Sequence, residues 1–434
     1  MRIAIIGTGI SGLGAAWALR HRAQITLFEA GSHFGGHTHT VDVDLPGEAP
    51  FAVDTGFLVL NERTYPKLQA LFAELNVPLA TSDMSFSVQT PLPGGSTLEW
   101  SGSNLDTVFA QRRNLTRPAF WRMLRDILRF NREATALARR PDAELDPLLT
   151  VGQYLRREGY GEPFLHWYLL PMTACIWSCP PGQMLDFPLA TLVRFCDNHG
   201  LLQVNNRPQW FTVRGGARQY VQKMLAQLPD TRLRTPVLRV TRHDDGVEVH
   251  TFDGPIWFDR VIFACHSDQA LALLDAPSQD EREVLGAIRY QPNRALLHTD
   301  TSLLPRARRA WAAWNYESGP AQGEQAPTVC LHYLLNKLQP LPTQRPIVVS
   351  LNPLREPVQH TVLREIDYAH PIFDQAAIAA QQRVPALQGR QHSYFCGAWC
   401  GYGFHEDGLK SGFDAAQALL SDVDAQPAHR ALAA

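Results

Sequence analysis

Residues 3–29 constrain the fold of this chain more than any other segment. A short apolar run at 3–6 leads directly into a patterned glycine turn, Gly7-Thr8-Gly9-Ile10-Ser11-Gly12. An apolar helical segment follows at 13–19, and a second apolar run at 24–28 ends in Glu29. Short apolar runs bounded by turn residues are typical of buried strands in a parallel sheet. The order strand, glycine turn, helix and strand therefore predicts an α/β fold.

Each residue of this turn suits a dinucleotide ligand. Gly7 permits the tight turn, Gly9 lets the backbone approach a pyrophosphate, and Gly12 lets the helix pack on the sheet. The N–H groups at the start of the helix attract phosphate charge. Glu29, seventeen residues after Gly12, can accept hydrogen bonds from a ribose diol. We predict a Rossmann-like dinucleotide site, and the alternative is a glycine turn that only packs.

Length and composition bound the rest. The chain has 434 residues, which exceeds the size at which one hydrophobic core keeps growing, so we predict two domains. A formal net charge of −2 gives no general attraction to nucleic acid, and we predict no such partner. Seven scattered cysteines do not resemble a disulfide framework and suit a reducing compartment. Their spacings assemble no four-ligand cluster, so we predict no metal site.

The first residues and the lengths of the apolar runs bear on the location of the protein. The first residues read as a strand and glycine turn rather than a signal peptide, and no run reaches the ~18 to 20 apolar residues of a membrane span. We therefore predict a cytoplasmic protein.

Residues 112–140 carry nine arginines against Asp126 and Glu133, with aromatic and aliphatic residues at helical spacing. We favour a cap helix with an inward apolar stripe; the alternative is a helix peripheral to the inner membrane face.

A second glycine pair separates this chain from simple NAD dehydrogenases. Gly35-Gly36 follows closely on Glu29. The pattern resembles flavoproteins of the amine oxidase superfamily, in which this pair lies along the ribityl chain and isoalloxazine. The resemblance implies non-covalent FAD as the cofactor. The cofactor contacts that it implies are Gly7, Gly9, Ile10, Ser11, Gly12, Glu29, Ala30, Gly35, Gly36, His37, Thr38, Gly56, Phe57, Val237, Ala264, Gly397, Ala398, Asp407, Gly408, Leu409 and Ser411.

Later segments extend the resemblance. We predict a strand at 235–240, a hairpin around 246–250 and an apolar strand at 260–265. Near the C-terminus, a strand at 394–398 and a glycine-rich turn at 401–412 lead into a final helix. The resemblance implies a Rossmann-like FAD-binding domain of the glutathione-reductase/amine-oxidase type, with a discontinuous mixed α+β cap domain. The predicted boundaries are 1–85, 205–270 and 385–434 for the FAD-binding domain, and 86–204 and 271–384 for the cap.

Five sequence segments indicate a narrower group within the superfamily: 54–61, 82–88, 176–180, 207–213 and 401–408. Together they resemble the FAD-containing oxidase-like N-terminal domain of plant cyclopropane fatty acid synthases. They also resemble its free-standing bacterial relatives, often called NAD/FAD-binding or amine-oxidase-like proteins. This resemblance implies lipid-type substrates with unsaturated, cyclopropanated or methyl-branched acyl chains, and a cyclopropane-synthase-like methyltransferase as partner.

Two histidines are the predicted catalytic residues. His37 stands where amine oxidases usually carry arginine. Two roles are open for it: it acts as a base, or it only forms hydrogen bonds. His405 stands where they place one aromatic wall of an amine cage, which disfavours amine recognition. Lys337, in a predicted strand that begins at Tyr333, is read as exposed rather than flavin-facing. The predicted wall of the substrate cavity is Trp177, Trp210, Tyr333, Asn336 and Trp399.

Three functions fit these residues. The leading one is an FAD-dependent oxidoreductase that dehydrogenates or isomerises an apolar acyl substrate by hydride transfer to flavin N5. The alternatives are an amine oxidase and a non-catalytic flavin-binding partner of an acyl-modifying methyltransferase. The full set of cofactor motifs argues against the last, because a scaffold has no evident need for flavin. Glu406 and Asp407 are expected to bond to cofactor or backbone rather than to act as an acid–base pair.

Overall fold

The computed structural model describes residues 1–434 except 142–143, 145, 147, 178–180, 204–206, 320–327 and 433–434. Within these residues the strands are β1 (Arg2–Ile6), β2 (Gln24–Phe28), β3 (Thr40–Val43), β4 (Phe51–Asp54), β5 (Leu60–Asn61), β6 (Leu79–Ser82), β7 (Phe86–Pro91), β8 (Thr97–Ser101), β9 (Trp210–Val213), β10 (Asp230–Arg232), β11 (Arg239–Arg242), β12 (Val247–Thr251), β13 (Gly254–Phe258), β14 (Arg260–Phe263), β15 (Arg289–His298), β16 (Trp314–Ser318), β17 (Val329–Leu334), β18 (Val348–Leu351), β19 (Val362–Ile372) and β20 (Ser393–Phe395). The helices are α1 (Ile10–Leu19), α2 (Pro66–Glu74), α3 (Leu105–Val108), α4 (Pro118–Ala138), α5 (Val151–Arg157), α6 (Glu162–Phe164), α7 (Leu170–Trp177), α8 (Pro181–Leu185), α9 (Leu189–Asn198), α10 (Arg218–Leu225), α11 (Ser267–Leu273), α12 (Gln279–Gly286), α13 (Leu335–Leu338), α14 (Gln375–Arg383) and α15 (His405–Leu432).

A five-stranded parallel sheet forms the centre of the predicted cofactor domain. Its strand order is β10-β2-β1-β14-β20, and β1 pairs in parallel with both β2 and β14. The apolar run at 3–6 is buried throughout, as expected for a strand covered on both faces. α1 connects β1 to β2, so the glycine turn lies at the carboxyl edge of the sheet, where ligands of such sheets bind. The predicted α/β fold class is confirmed.

The final helix, α15, packs tightly on α1. A Cβ added at Gly412 would lie 2.2 Å from the Ser11 carbonyl oxygen, and one at Gly14 would lie 2.8 Å from Leu409 Cδ1. Leu409 is fully buried in the core that also contains Leu13. Only glycine permits so close an approach of two helices, because any side chain would collide with the facing backbone or leucine. The C-terminal segment is thereby held against the glycine turn.

The cap contains a seven-stranded mixed sheet of order β19-β15-β18-β17-β16-β7-β8. Apolar side chains such as Val88, Trp100 and Val349 form one core with Phe120 and Met123 of α4. The apolar stripe of α4 therefore packs inward at Phe120 and Met123, as we expected for a cap helix. However, Trp121 and Leu128 of the same helix are 50% and 61% exposed.

Several predicted strands were wrong in their bounds: the one at 260–265 is β14, which ends at Phe263, and the one at 394–398 is β20, which ends at Phe395. β11 begins at Arg239 rather than Thr235, because the Thr235 N–H donates to the Glu29 carbonyl oxygen at 2.7 Å and joins the loop to β2 instead. The predicted strand from Tyr333 to Lys337 ends at Leu334, and α13 follows it. Leu335 and Leu338 are both fully buried at helical spacing. Lys337 is exposed and pairs with Asp83 at 3.3 Å.

A buried polar network crosses the cap sheet. His298 Nε2 lies 2.7 Å from Ser350 Oγ, which lies 2.6 Å from His332 Nδ1. His332 Nε2 contacts a Glu317 carboxylate oxygen at 2.9 Å, and Arg355 donates to the other oxygen at 3.1 Å. Burial, with a contribution from His332, lowers the pKa of His298 to about 4. His298 is therefore neutral in the folded protein at neutral pH.

This depressed pKa predicts a pH-dependent stability. The free energy that the neutral His298 ring contributes is fully present above the unfolded pKa of about 6.5 and is lost as the pH falls towards 4. Between pH 7 and pH 5 we expect wild type to lose about 2 kcal/mol more unfolding free energy than His298→Asn, measured with urea. His360→Asn, an exposed site, is the control. Equal losses in wild type and His298→Asn would show that another group titrates.

Candidate active site

A cavity of about 880 Å³ lies between the parallel sheet and the cap sheet. At one end its lining comes from the glycine turn after β1, the end of β2 and the residues after β14. At the other end the lining comes from the cap strands β16, β17 and β18 and from the helices α7 and α9. One continuous space thus joins the predicted cofactor site to the predicted substrate site.

The glycine turn presents backbone donors to this cavity. Gly9 is the N-cap of α1, with extended φ and ψ of −61° and 175° and no capping side-chain bond. A Cβ added at Gly9 would meet nothing within 4 Å, so open space lies in front of the first turn. Gly7, at φ 103°, lies against the backbone of Ala264, where a Cβ would come within 2.8 Å of the carbonyl oxygen. An uncapped helix N-terminus facing open space fits a pyrophosphate.

Glu29 is held at the edge of the same space. One carboxylate oxygen accepts the Gly31 N–H at 2.7 Å, and the other accepts the Thr8 hydroxyl. Val237 and Gln269 also line the cavity. The two local bonds orient the carboxylate and leave lone pairs for further donors. This arrangement fits a ribose diol.

His37 lies beside the glycine turn. Its neighbour Gly36 packs on Gly9, where an added Cβ would lie 3.1 Å from the Gly9 Cα. The His37 ring stacks on Tyr368 at 5.0 Å, with His370 at 5.2 Å between centroids. Burial, followed by nearby histidines, lowers the pKa of His37 well below its ordinary value. His37 Nε2 is buried and has no hydrogen-bond partner among the described residues.

We expect His37→Leu to weaken FAD binding about tenfold. An unpartnered buried ring nitrogen is costly unless a ligand supplies the missing bond, and a hydrogen bond to a charged group contributes about 1.5 kcal/mol, which is tenfold. Titration of apoprotein with FAD measures the change. His21→Leu, at an exposed histidine that does not line the cavity, is the control. Unchanged affinity in His37→Leu would show that Nε2 does not contact the cofactor.

His405 contacts residues on the cofactor side of the cavity. Its ring stacks on Phe57 at 3.8 Å with an interplanar angle of 12°. Nε2 lies 2.9 Å from Thr38 Oγ1 and 3.0 Å from Tyr220 Oη. Burial lowers the pKa of His405 to about 3, so the ring is neutral. Two hydroxyls engage Nε2 and the ring packs on Phe57, so His405 contacts Phe57 and Thr38 while it also lines the cavity. The catalytic role expected for His405 stays a prediction.

The two acidic residues that follow bond to backbone. Glu406 accepts the N–H groups of Lys67 and Leu68, at 2.8 and 2.9 Å, and so satisfies the N-terminus of α2. Asp407 accepts the Phe404 N–H at 3.0 Å. Burial raises the pKa of Asp407 to about 6. Of the two expected alternatives for these residues, the structure shows the backbone role.

Most predicted cofactor contacts lie on the cavity wall. They are Gly7, Gly9, Ile10, Ser11, Glu29, Ala30, Gly35, Gly36, His37, Gly56, Phe57, Val237, Ala264, Gly397 and Ala398. Their contact with the cofactor stays a prediction. The predicted contacts that do not line the cavity are Gly12, Thr38, Asp407, Gly408, Leu409 and Ser411.

The residues behind the wall have packing or bonding roles that explain the difference. Gly12 and Gly408 allow close packing, since an added Cβ would lie 2.0 Å from the Gly7 oxygen or 2.7 Å from Ile10 Cγ2. The Ser411 hydroxyl donates to the Gly397 carbonyl at 2.9 Å and so fixes the turn from behind.

Only some of the residues predicted to form the substrate cavity line the observed cavity. Trp210, Tyr333 and Trp399 line it. Asn336 does not: its amide donates to the Thr343 and Arg345 carbonyls and accepts the Ile347 N–H at 2.7 Å. That prediction was wrong because Asn336 lies in α13, not in a strand. The side chain of Trp177 lies outside the described part of the structure.

Sequence reasoning missed a second aromatic and histidine group on the wall. Its members are His266, Tyr290, Tyr368 and His370. Tyr368 Oη lies 2.9 Å from Thr55 Oγ1, and His266 stacks on Tyr290 at 4.2 Å. Tyr368 and His370 alternate along β19, which is the only sequence signal that the two side chains share a face.

The described cavity lining contains one carboxylate, Glu29, and no lysine or arginine. Glu29 lies at the end of β2, on the cofactor side. The lining on the cap side is mainly apolar. Its apolar and aromatic members are Leu58, Val59, Met84, Phe86, Met172, Cys175, Ile176, Phe195, Leu201, Trp210, Trp314, Tyr333, Val349, Leu351 and Phe404. His199 and Tyr402, which pack on Phe195, line the same end.

A parallel sheet with a glycine turn, an acid after β2 and a cap over one shared cavity define an FAD-dependent oxidoreductase. The family model for flavin-containing amine oxidoreductases matches residues 10–298 of the 434. The chain belongs to this family, and FAD is its cofactor. No curated protein matches the sequence.

Solved structures share the fold over nearly the whole chain. A fatty acid isomerase from P. acnes that produces CLA has a TM-score of 0.65 at 16% identity, covering 95% of this chain and 97% of its own. Cyclohexylamine oxidase from Brevibacterium oxydans has a TM-score of 0.65 at 16% identity, covering 98% and 99%. Putrescine oxidase with bound putrescine has a TM-score of 0.66 at 15% identity, covering 97% and 99%. These likenesses show the fold.

Proposed function

We propose that this enzyme removes a hydride from an acyl chain, at a carbon next to a double bond or a branch. The observation that carries the proposal is the apolar cap end of the cavity. Among its described lining residues no carboxylate, lysine or arginine faces a substrate, since Glu29 lies on the cofactor side. Burial of each methylene of an acyl chain there contributes about 0.8 kcal/mol.

The same lining disfavours an amine substrate. A buried ammonium group requires a carboxylate partner or an aromatic cage, because it loses its hydration on entry. The described cap lining offers no carboxylate. Phe195 and Phe404 stack on one another at 5.2 Å and 21°, so they do not stand apart as two walls of a cage. His405, in the position of the usual cage wall, stacks on Phe57 instead.

The glycine turn and Glu29 would hold FAD, which would supply the hydride acceptor for this reaction. The chain's own contribution is to hold the acyl chain and exclude water. Loss of a hydride and a proton from adjoining carbons creates a new double bond, whereas return of the hydride at another carbon isomerises the alkene. His199 and His370 of the lining have pKa values lowered to about 4 by burial. Both rings are neutral at neutral pH. His370 Nδ1 accepts the Asn293 amide N–H at 2.8 Å, so its Nε2 carries the ring proton and cannot accept another. His199 donates Nδ1–H to the Phe195 carbonyl at 3.0 Å, so its Nε2 is unprotonated and can accept the proton that leaves, as a weak base because of its lowered pKa.

One structural neighbour supports this proposal. The fatty acid isomerase from P. acnes shares the fold over 95% of this chain, so the architecture accommodates a fatty acid in at least that protein. The amine oxidases with the same fold give equal support to the alternative at the level of fold. The apolar cap lining of this chain favours the acyl substrate.

Anaerobic mixing distinguishes the two substrate classes. Purified flavoprotein is mixed with fractionated bacterial lipids, with unsaturated or methyl-branched fatty acids, and with an amine panel that includes putrescine and cyclohexylamine. We expect the absorbance of oxidised flavin to fall with acyl substrates and not with amines. If the reaction is an isomerisation, this absorbance should recover after the fall, and the product should carry its double bond at a new position. A saturated straight-chain fatty acid is the control. Bleaching by amines and not by lipids would overturn the proposal.

A further inference from the structure

We propose that the outer face of α4 docks this enzyme on the surface of an anionic lipid bilayer. The α4 face consists of Trp121, Arg125, Leu128 and Arg132 of the helix, together with Leu115, which lies in the turn before it. The inference comes from exposure and charge outside the cavity and does not depend on the proposed acyl substrate. No described helix is long and apolar enough to cross a membrane, so docking would be peripheral.

Large apolar side chains are concentrated on this face. Trp121 is 50% exposed, Leu128 is 61% exposed and Leu115 is 47% exposed. Trp121 and Leu128 lie two helical turns apart on one side of α4, about 10 Å along its axis. The indole N–H donates to the Leu115 carbonyl at 2.9 Å, and the ring packs on Phe109 at 5.3 Å. These contacts hold the tryptophan at the surface rather than in the core.

Arginines alternate with these apolar residues. Arg125 and Arg132 are 74% and 79% exposed, one turn beyond Trp121 and Leu128 respectively. They approach Asp126 and Glu133 at 3.5 and 4.0 Å. However, the Asp126 side chain is only 6% exposed, and Glu133 accepts hydrogen bonds from buried-side partners that include Tyr160 at 2.7 Å. Asp126 is therefore buried, and Glu133, 30% exposed, is paired with Arg129 at 3.1 Å, so the more exposed arginines set the charge of the outer face.

This combination fits a bilayer better than a nucleic acid. An interfacial helix buries Trp and Leu in the headgroup region, while arginine stems extend their charge to lipid phosphates. Nucleic-acid recognition would use the arginines but gives no reason to expose leucines among them. α4 also packs with α9 in a shared core, and Phe195 of α9 lines the cavity. Docking would thus bring the cap end of the cavity near the membrane.

Vesicle sedimentation tests this inference. The FAD-loaded enzyme is mixed with vesicles of phosphatidylcholine alone or with phosphatidylglycerol added as a third of the lipid. We expect binding to the anionic vesicles and much weaker binding to the neutral ones. Arg125→Gln with Arg132→Gln should weaken the anionic binding about 25-fold, since each arginine contributes about fivefold. Trp121→Ser with Leu128→Ser should weaken it at least about tenfold.

Matched variants elsewhere on the surface control for charge and hydrophobicity. Phe252→Ser removes an apolar side chain that is 80% exposed at the β12–β13 turn. Arg282→Gln with Arg364→Gln removes two exposed arginines from α12 and the edge strand β19. Both controls should bind as wild type does. Equal binding of wild type to both vesicle types, no binding to either, or α4 variants that bind like the controls would overturn the proposal. Sedimentation needs no turnover, so a negative result leaves the proposed reaction untouched.

Discussion

Gly9→Val should give a folded protein that no longer retains FAD. A Cβ at Gly9 meets no atom within 4 Å, and φ −61° with ψ 175° suits any residue, so the substitution does not strain the chain. The new side chain instead stands in the open space before the N-terminus of α1. Overpacking of this kind costs about 3 kcal/mol, which is about a 100-fold loss of affinity. Flavin absorbance after purification and titration of the apoprotein measure the loss.

Two other glycines make this experiment interpretable. Gly102→Val is the matched control, because its Cβ has one neighbour, Trp100, at 3.8 Å, and the site is exposed. Gly12→Val should fail to fold, since its Cβ would lie 2.0 Å from the Gly7 oxygen. Circular dichroism separates the two failures. A yellow Gly9→Val protein with wild-type FAD affinity would contradict the placement of the pyrophosphate at this turn.

The opening motif was predictable because its constraints are local. Gly7, Gly9 and Glu29 follow one another in a strand, turn, helix and strand, and the periodicity of the sequence sets each element directly. The C-terminal motif was harder. The sequence places Gly408, Leu409 and Ser411 near the cofactor, but it cannot say which side of α15 faces the cavity. That side is decided by the close packing of α15 on α1, a contact between distant segments.

The histidine and tyrosine wall shows the same limit. His266 follows β14, whereas Tyr368 and His370 belong to β19, about a hundred residues later. Only the pairing of β15 with β19 and the closure of the cap bring these side chains together beside His37. No spacing in the chain indicates this meeting. Likewise, the burial of Leu335 and Leu338 ends β17 early, and an alternating pattern alone does not reveal it.

Ile176→Asp should lower kcat/KM for an acyl substrate about 100- to 1,000-fold. Ile176 lies on α7 in the apolar lining and is partly exposed, so a carboxylate there is hydrated in the free enzyme and the fold tolerates it. An entering acyl chain would strip that water from the charge, at a cost of about 3–4 kcal/mol. Single-turnover reduction of the flavin under anaerobic conditions, across a range of substrate concentrations, measures the effect.

Ile176→Val is the control, because it removes one methylene and keeps the wall apolar; its kcat/KM should fall less than about tenfold. The two substrate classes then respond in opposite directions. Aspartate gives an ammonium group the partner that the described cap lining lacks, so Ile176→Asp should reduce its flavin with simple amines faster than wild type does. An unchanged kcat/KM for the acyl substrate in Ile176→Asp would mean that the substrate's acyl chain does not pass α7. The apolar lining would then no longer support an acyl substrate. Wild-type turnover of amines that Ile176→Asp leaves unchanged would equally contradict the acyl substrate.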